Sequence, residues 1–167
     1  MSTLDCNTPV GRAWIARQHQ IVDVCKTIFR CEAVTTFDDG DAPVDVLFAR
    51  RNTLIAVAEI KNRALTLAGL NGFGSYVVTL EKLLRGRAIA QVLRVPYVLV
   101  VGLTDAVVHW TVTDARGDWL IDFDVAHTAT QATCNGGSAV RANAYLQLGA
   151  MKVHPLPETT PDAGDRT

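Results

Sequence analysis

Apolar positions along the chain change their spacing several times, and each change marks an element. Over residues 12–29, Trp14, Ile15, Ile21, Val22, Cys25, Ile28 and Phe29 recur at helical spacing, while Gln18, His19 and Asp23 take polar positions, which predicts an amphipathic helix. Residues 31–37 alternate as a first strand, and Asp38-Asp39-Gly40-Asp41 follows as an acidic turn. Two short runs rich in Val, Ile, Leu and Phe then flank Arg50-Arg51-Asn52-Thr53, the pattern of a β-hairpin. Residues 65–74 hold three glycines and the exposed-looking Leu70 and Phe73, which predicts an irregular loop. Residues 75–94 form a second predicted helix, with Val77, Leu80, Leu84, Ala88 and Val92 as its core stripe and Val95-Pro96 as its stop.

The β-branched run 97–103 predicts a buried strand, residues 106–113 the next, and 119–123 a short one. Residues 124–143, small and polar with His127 and Cys134 isolated in them, predict a long surface loop; 145–153 returns as an edge strand. The expected fold class is α/β, a mixed central β-sheet flanked by helices. One domain is expected over residues 1–154, with a disordered, proline-containing tail at 155–167.

Three charges interrupt the apolar hairpin: Asp45 near the start of its first run, and Glu59 and Lys61 at the end of its second. Glu59 and Lys61 are two apart and project from one face of a strand. A two-residue loop at Arg51-Asn52 would set position 45 opposite 58 and put the carboxylates on opposite faces. A three-residue loop, Arg51-Asn52-Thr53 with Asn52 left-handed, sets 45 opposite 59 and joins all three charges, and is the expected form. Leu47, Ala49, Ile55 and Val57 would share that face; Val44, Val46, Phe48, Ala56, Ala58 and Ile60 would take the other. Both faces are apolar, so a sheet covered on both sides is expected.

Ionised carboxylates in such surroundings need compensation. Lys61 supplies one positive charge, and a Mg²⁺ ion held by Asp45, Glu59, a backbone carbonyl and water would supply two more. Mg²⁺ commonly sits between carboxylates and a phosphate, so the combination points to phosphodiester chemistry.

Asp45 followed fourteen residues later by Glu59-Ile60-Lys61, on a hairpin between two helices, resembles the PD-(D/E)xK nuclease superfamily over residues 11–113, with Pro43-Val44-Asp45 a slightly stretched first element. The resemblance implies a restriction-endonuclease-like αβββαβ core and a Mg²⁺-dependent deoxyribonuclease, with Mn²⁺ as the alternative ion. It implies that Asp45 and Glu59 bind the metal with the Ile60 carbonyl as third ligand, and that Lys61 positions or activates the attacking water, or stabilises charge on the phosphate. Thr79-x-x-Lys82 is similar to the helix following the E-x-K strand in small members, which would bring Lys82 to a substrate phosphate. Gln18, on a helix that often borders the site, is a further candidate. Small stand-alone members belong to phages, mobile elements and restriction or recombination systems.

Composition adds little except in its distribution. Nearly half of the 167 residues are apolar, enough for one domain with a proper core. No run approaches a membrane span and the N-terminus lacks a signal-peptide run, so a cytoplasmic location is expected. The four cysteines, Cys6, Cys25, Cys31 and Cys134, show no metal spacing and read as reduced structural thiols. Residues 50–94 contain eight basic side chains against two acidic ones, a net +6, while the rest of the chain carries −7. That charge gathers beside the proposed site, where Arg63, Thr79, Lys82 and Arg85 are the candidate contacts to a nucleic-acid backbone. DNA is the expected partner, RNA is not excluded, and a homodimer would suit cleavage of both strands. The alternative is a catalytically inactive nucleic-acid-binding or interaction protein on the same fold; the presence of Asp45, Glu59 and Lys61 together leans against it.

Overall fold

The computed structural model describes residues 8–36, 42–129 and 139–157. The N-terminal periodicity becomes α1, Pro9–Phe29, entered through Thr8, whose hydroxyl accepts from the Gly11 N–H at 3.0 Å. Pro9 takes a first-turn position, where its missing N–H leaves no hydrogen bond unmade. Arg30 ends the helix in the left-handed conformation and turns the chain into β1, Glu32–Thr35. This strand pairs antiparallel with β2, Val46–Arg50, and β2 with β3, Thr53–Asn62.

β3 then pairs in parallel with β5, Tyr97–Gly102; β6, Ala106–Thr113, and β9, Lys152–Pro155, extend the sheet antiparallel. The central sheet is therefore six-stranded and mixed, in the order β1-β2-β3-β5-β6-β9. Its middle strands are apolar on both faces because both are covered. On one side Ile21, Val22 and Cys25 of α1 share a core with Val46, Phe48, Ala58, Ile60 and Val100. On the other, Val57, Leu99, Val101 and Trp110 lie under α3, Leu80–Leu93, and a three-stranded sheet. That sheet runs β4, Ser75–Thr79; β8, Val140–Gln147; β7, Phe123–Ala129. The mixed sheet flanked by helices is as expected; the second sheet is not.

Several sequence expectations are corrected. Residues 75–94 are a strand followed by a helix, because Tyr76 and Val78 alternate into the core while β4 pairs with β8. The buried side of α3 is accordingly Leu83, Gly86 and Ala90, and the expected stripe members Val77, Leu84 and Val92 are exposed. The glycine-rich stretch contains α2, Leu67–Phe73, capped by Thr66; Leu70 is buried in the core, whereas Phe73 is exposed. Residues 124–143 supply most of the β7–β8 pair, with His127 opposite Ala142. Of residues 119–123, Trp119 forms only an isolated bridge with Thr113 and Phe123 begins β7. The expected strand at 145–153 divides into the end of β8, a 3₁₀ turn at Leu148–Ala150 and the start of β9. The acidic turn, Cys6, Cys134 and most of the expected tail lie outside the described residues. Cys25 and Cys31 are free thiols, and burial pushes Cys25 up to about 12.

α3 is seated by one close approach. A Cβ on Gly86 would lie 2.3 Å from the ring of Tyr97, which is fully buried on β5 and has no room to yield. Gly86→Ala improves helix propensity by up to ~1 kcal/mol but overpacks this contact, which typically costs about 1–3 kcal/mol. Urea denaturation should show the variant destabilised by roughly 1–2 kcal/mol; a gain in stability would contradict the packing described.

Candidate active site

Asp45, Glu59 and Lys61 do meet, by a route the expected loop did not include. The hairpin turn has two residues, Arg51 at φ 50° and Asn52 at φ 60°, the paired left-handed conformation that matches strand twist. Arg50 pairs with Thr53 and Ala49 with Leu54, a register that would have put Asp45 opposite Ala58. Ile55 is then left over as a β-bulge, and from Phe48–Ala56 onward the register is shifted by one. Val46 pairs with Ala58, so one further step brings position 45 beside 59. The same bulge sends Ile55 to the α1 side of the sheet and Leu54 to the α3 side. Val44, outside the regular strand, also joins the α3-side core, contrary to expectation.

Glu59 is 1% exposed, and its Oε1 accepts from Lys61 Nζ and lies 3.3 Å from Lys82 Nζ. Its Oε2 is buried with no hydrogen-bond partner in the structure. Asp45 is also buried, and its Oδ2 accepts from the Ile60 N–H at 2.8 Å. Burial pushes the Asp45 carboxyl above its ordinary range and the Glu59 charge adds to the shift; Lys61, the Ile60 N–H and Lys82 oppose it.

Ile60 turns its N–H toward the β2 side of β3, and its carbonyl shares that edge. Gln18 of α1, itself buried, places Nε2 3.5 Å from that carbonyl oxygen. Two carboxylates and one carbonyl thus gather at the edge of β3; among the described residues no cluster of three or more His, Cys, Asp or Glu forms a metal site. That donor set fits Mg²⁺, which takes one or two carboxylates and keeps several waters, and Glu59 Oε2, buried without a hydrogen-bond partner, could serve as one of its ligands.

The other candidates separate. Thr79 is the N-cap of α3 but makes no side-chain capping bond, and Lys82 follows in the first turn, facing Glu59. Arg63 lies beyond the end of β3 with its guanidinium 5.8 Å from the centre of the Tyr76 ring. Arg85 points away to an exposed pair with Glu81 at 2.7 Å, in a shallow groove with Thr79, Leu84 and Arg141. Sequence reading missed Tyr76, Tyr97 and Arg141. Tyr76 has a buried, unpartnered hydroxyl, and burial pushes it up to about 12. Tyr97 donates to the Lys82 carbonyl at 3.4 Å. The alternation of Tyr76 and Val78 was a signal for the first; the other two lacked one.

The mixed α/β topology is that of the expected fold class, with two carboxylates at the edge of β3. The chain belongs to the family described as "Phage putative PDDEXK endonuclease", whose model matches residues 25–123. The expected superfamily is borne out by that match. Among solved structures the chain is similar to Hjc of Archaeoglobus fulgidus, a Holliday junction resolvase from an archaeal hyperthermophile. The two share 13% identity at a TM-score of 0.44, over 57% of this chain and 75% of that one. No curated protein matches the sequence.

The raised Asp45 pKa sets a pH dependence. With its folded-state pKa above the unfolded one, the folded form binds more protons, so stability without metal falls as pH rises from the ordinary aspartate value through the folded one. Asp45→Asn keeps an acceptor for the Ile60 N–H and removes the charge. Its melting temperature in EDTA at neutral pH should exceed the wild type's. The gain should shrink as pH falls through about 4 and vanish by about pH 3, where both folded and unfolded wild type hold the proton. A thermal melt series across pH checks this, and an unchanged gain at acid pH would remove Asp45 ionisation as its cause.

Proposed function

We propose that the chain is a divalent-metal-dependent deoxyribonuclease that hydrolyses DNA phosphodiesters, with Asp45, Glu59 and Lys61 as catalytic residues. The observation that carries this reading is the buried Glu59 Oε2 without a partner, beside Asp45 and Lys61. A buried carboxylate oxygen left unpaired is costly unless a cation or water occupies it. Asp45, Glu59 and the Ile60 carbonyl would hold Mg²⁺, with Mn²⁺ as the alternative. Bound there, the ion would supply Lewis-acid stabilisation of the phosphate and lower the pKa of water.

The chain's own groups perform the remaining steps. The Ile60 N–H fixes Asp45 through Oδ2 and leaves its other oxygen for binding. Gln18 steadies the Ile60 carbonyl from the far side of the sheet. Lys61 Nζ, tethered to Glu59, is placed to orient the attacking water by hydrogen bonding and to bear charge developing on the phosphate oxygens. A bond forms from the water oxygen to phosphorus as the water gives up a proton to solvent, the bond from phosphorus to the leaving sugar oxygen breaks, and that oxygen takes a proton from solvent. Arg63, Thr79, Lys82 and Arg85 are the proposed contacts to the DNA backbone, Arg63 and Lys82 near the carboxylates and Arg85 farther along α3. A homodimer would bring two such centres to opposite strands. No helix among the described residues is long and apolar enough to cross a membrane.

Supercoiled, linear and branched DNA incubated with Mg²⁺, Mn²⁺ or EDTA tests the proposal. Cleavage should require the metal and fall by about 10²–10³-fold or more in Glu59→Gln, Asp45→Asn and Lys61→Met, the scale of losing one transition-state contact. Cutting that persists in EDTA or in Glu59→Gln would refute the site. DNA binding without cutting under every condition would favour a non-catalytic binding protein instead.

A further inference from the structure

We propose that Lys82 is a counter-ion of Glu59 that a divalent cation displaces on binding, which delivers the lysine to the DNA phosphate. The idea rests on the reading of Asp45 and Glu59 as the metal-holding pair. Its structural basis is the convergence of two ammonium groups on one oxygen: Glu59 Oε1 takes both Lys61 Nζ and Lys82 Nζ, while Oε2 is left without a partner. With Asp45 close by, two carboxylates face two lysines and their formal charges cancel. Tyr76 and Tyr97, which also border Glu59, add no charge while protonated, and Arg63 is drawn over the Tyr76 ring.

A divalent cation entering this neutral arrangement leaves it at +2. Two ammonium groups and a dication around the same carboxylates repel one another, so one lysine is surplus. The tethers decide which leaves. Lys61 stands on β3, within two residues of Glu59 on the same covered face, and its side chain is 22% exposed. Lys82 reaches Glu59 from the first turn of α3, and its side chain is 33% exposed. Its backbone stays fixed when the side chain swings away, because Tyr97 holds its carbonyl and Gly86 seats the helix. A phosphodiester and a deprotonated water bring two negative charges, which match the +2 site and give the released ammonium a partner.

By linkage, a lysine that competes with the metal must weaken metal binding, and couplings of this kind typically amount to about 5–150-fold. Calorimetric titration of the full chain with Mn²⁺ should therefore show tighter binding in Lys82→Met and Lys82→Gln than in the wild type, by about fivefold or more. Lys82→Arg, which keeps the charge, should stay near the wild type, and Glu59→Gln should lose binding. Circular dichroism melts in EDTA check that each variant is folded, and the Met and Gln variants serve as duplicates should one fail to fold. A short DNA duplex supplies the second measurement. Lys82→Met should weaken its binding in Ca²⁺ more than in EDTA, where Glu59 already occupies the lysine.

Metal affinity equal to or weaker than the wild type's in both neutral variants overturns the counter-ion role while leaving the metal site standing. A wild type that takes up no Mn²⁺ overturns the metal reading and this proposal together. An equal loss of DNA affinity in Ca²⁺ and EDTA overturns the release of Lys82 toward phosphate.

Discussion

A carboxylate almost wholly removed from water, in a sheet covered on both faces, is the constraint around which this molecule is arranged. The penalty for burying an unpaired charge amounts to several kcal/mol, and it falls only when opposite charge and hydrogen bonds reach the buried group. Glu59 receives that charge from two separate elements, Lys61 on its own strand and Lys82 on α3. The second of these makes the seating of α3 an electrostatic matter as well as a packing one. Tyr97 lies under Gly86 and bonds the Lys82 carbonyl, so one aromatic side chain sets both the height of the helix and the place of its lysine.

The hairpin shows how small a local feature can decide the chemistry. A two-residue turn between these strands, continued regularly, would have put Asp45 and Glu59 on opposite faces of the sheet, and two acids so separated share no ligand. The single leftover residue, Ile55, reverses that outcome for every position beyond it. Ile55 itself lands among the apolar side chains on the α1 side, where its burial offsets part of the cost of the irregularity. The bulge is thus as much a determinant of the site as the charged residues are.

Strands β2, β3, β5 and β6, helix α1 and the grouping of Asp45, Glu59 and Lys61 could be read in the sequence because their signals are local: apolar runs, helical spacing, and charges inside an apolar hairpin. The three-residue loop could not be distinguished from a two-residue loop with a bulge, since both yield the same pairing at positions 45 and 59. The strand Ser75–Thr79 reads in sequence as part of the helix because Val77 and Leu80 fall at an interval that also suits a helix; the decisive fact, pairing with β8 some seventy residues later, has no local trace. The β7–β8 pair was missed for a related reason. It is half exposed and rich in Ala, so its alternation is weak, and its hydrogen bonds go to each other and to β4. Lys82 was singled out from the motif context, yet its partner, a buried carboxylate on another element, lies beyond what spacing can show.

The location of the acidic cluster follows from the unequal lengths of neighbouring strands. β3 has ten residues and β2 only five, so the last residues of β3 keep their parallel partner β5 on one side and lose β2 on the other. The freed edge presents the backbone of Ile60 in surroundings that remain covered above and below. A backbone N–H in such a place must find an acceptor, and Asp45, at the residue just before β2 begins, provides it with a side-chain oxygen in place of a strand carbonyl. One substitution of carboxylate for backbone therefore satisfies the sheet edge and brings a second acid beside Glu59. The demand of the backbone for a partner and the gathering of two carboxylates are met by the same hydrogen bond.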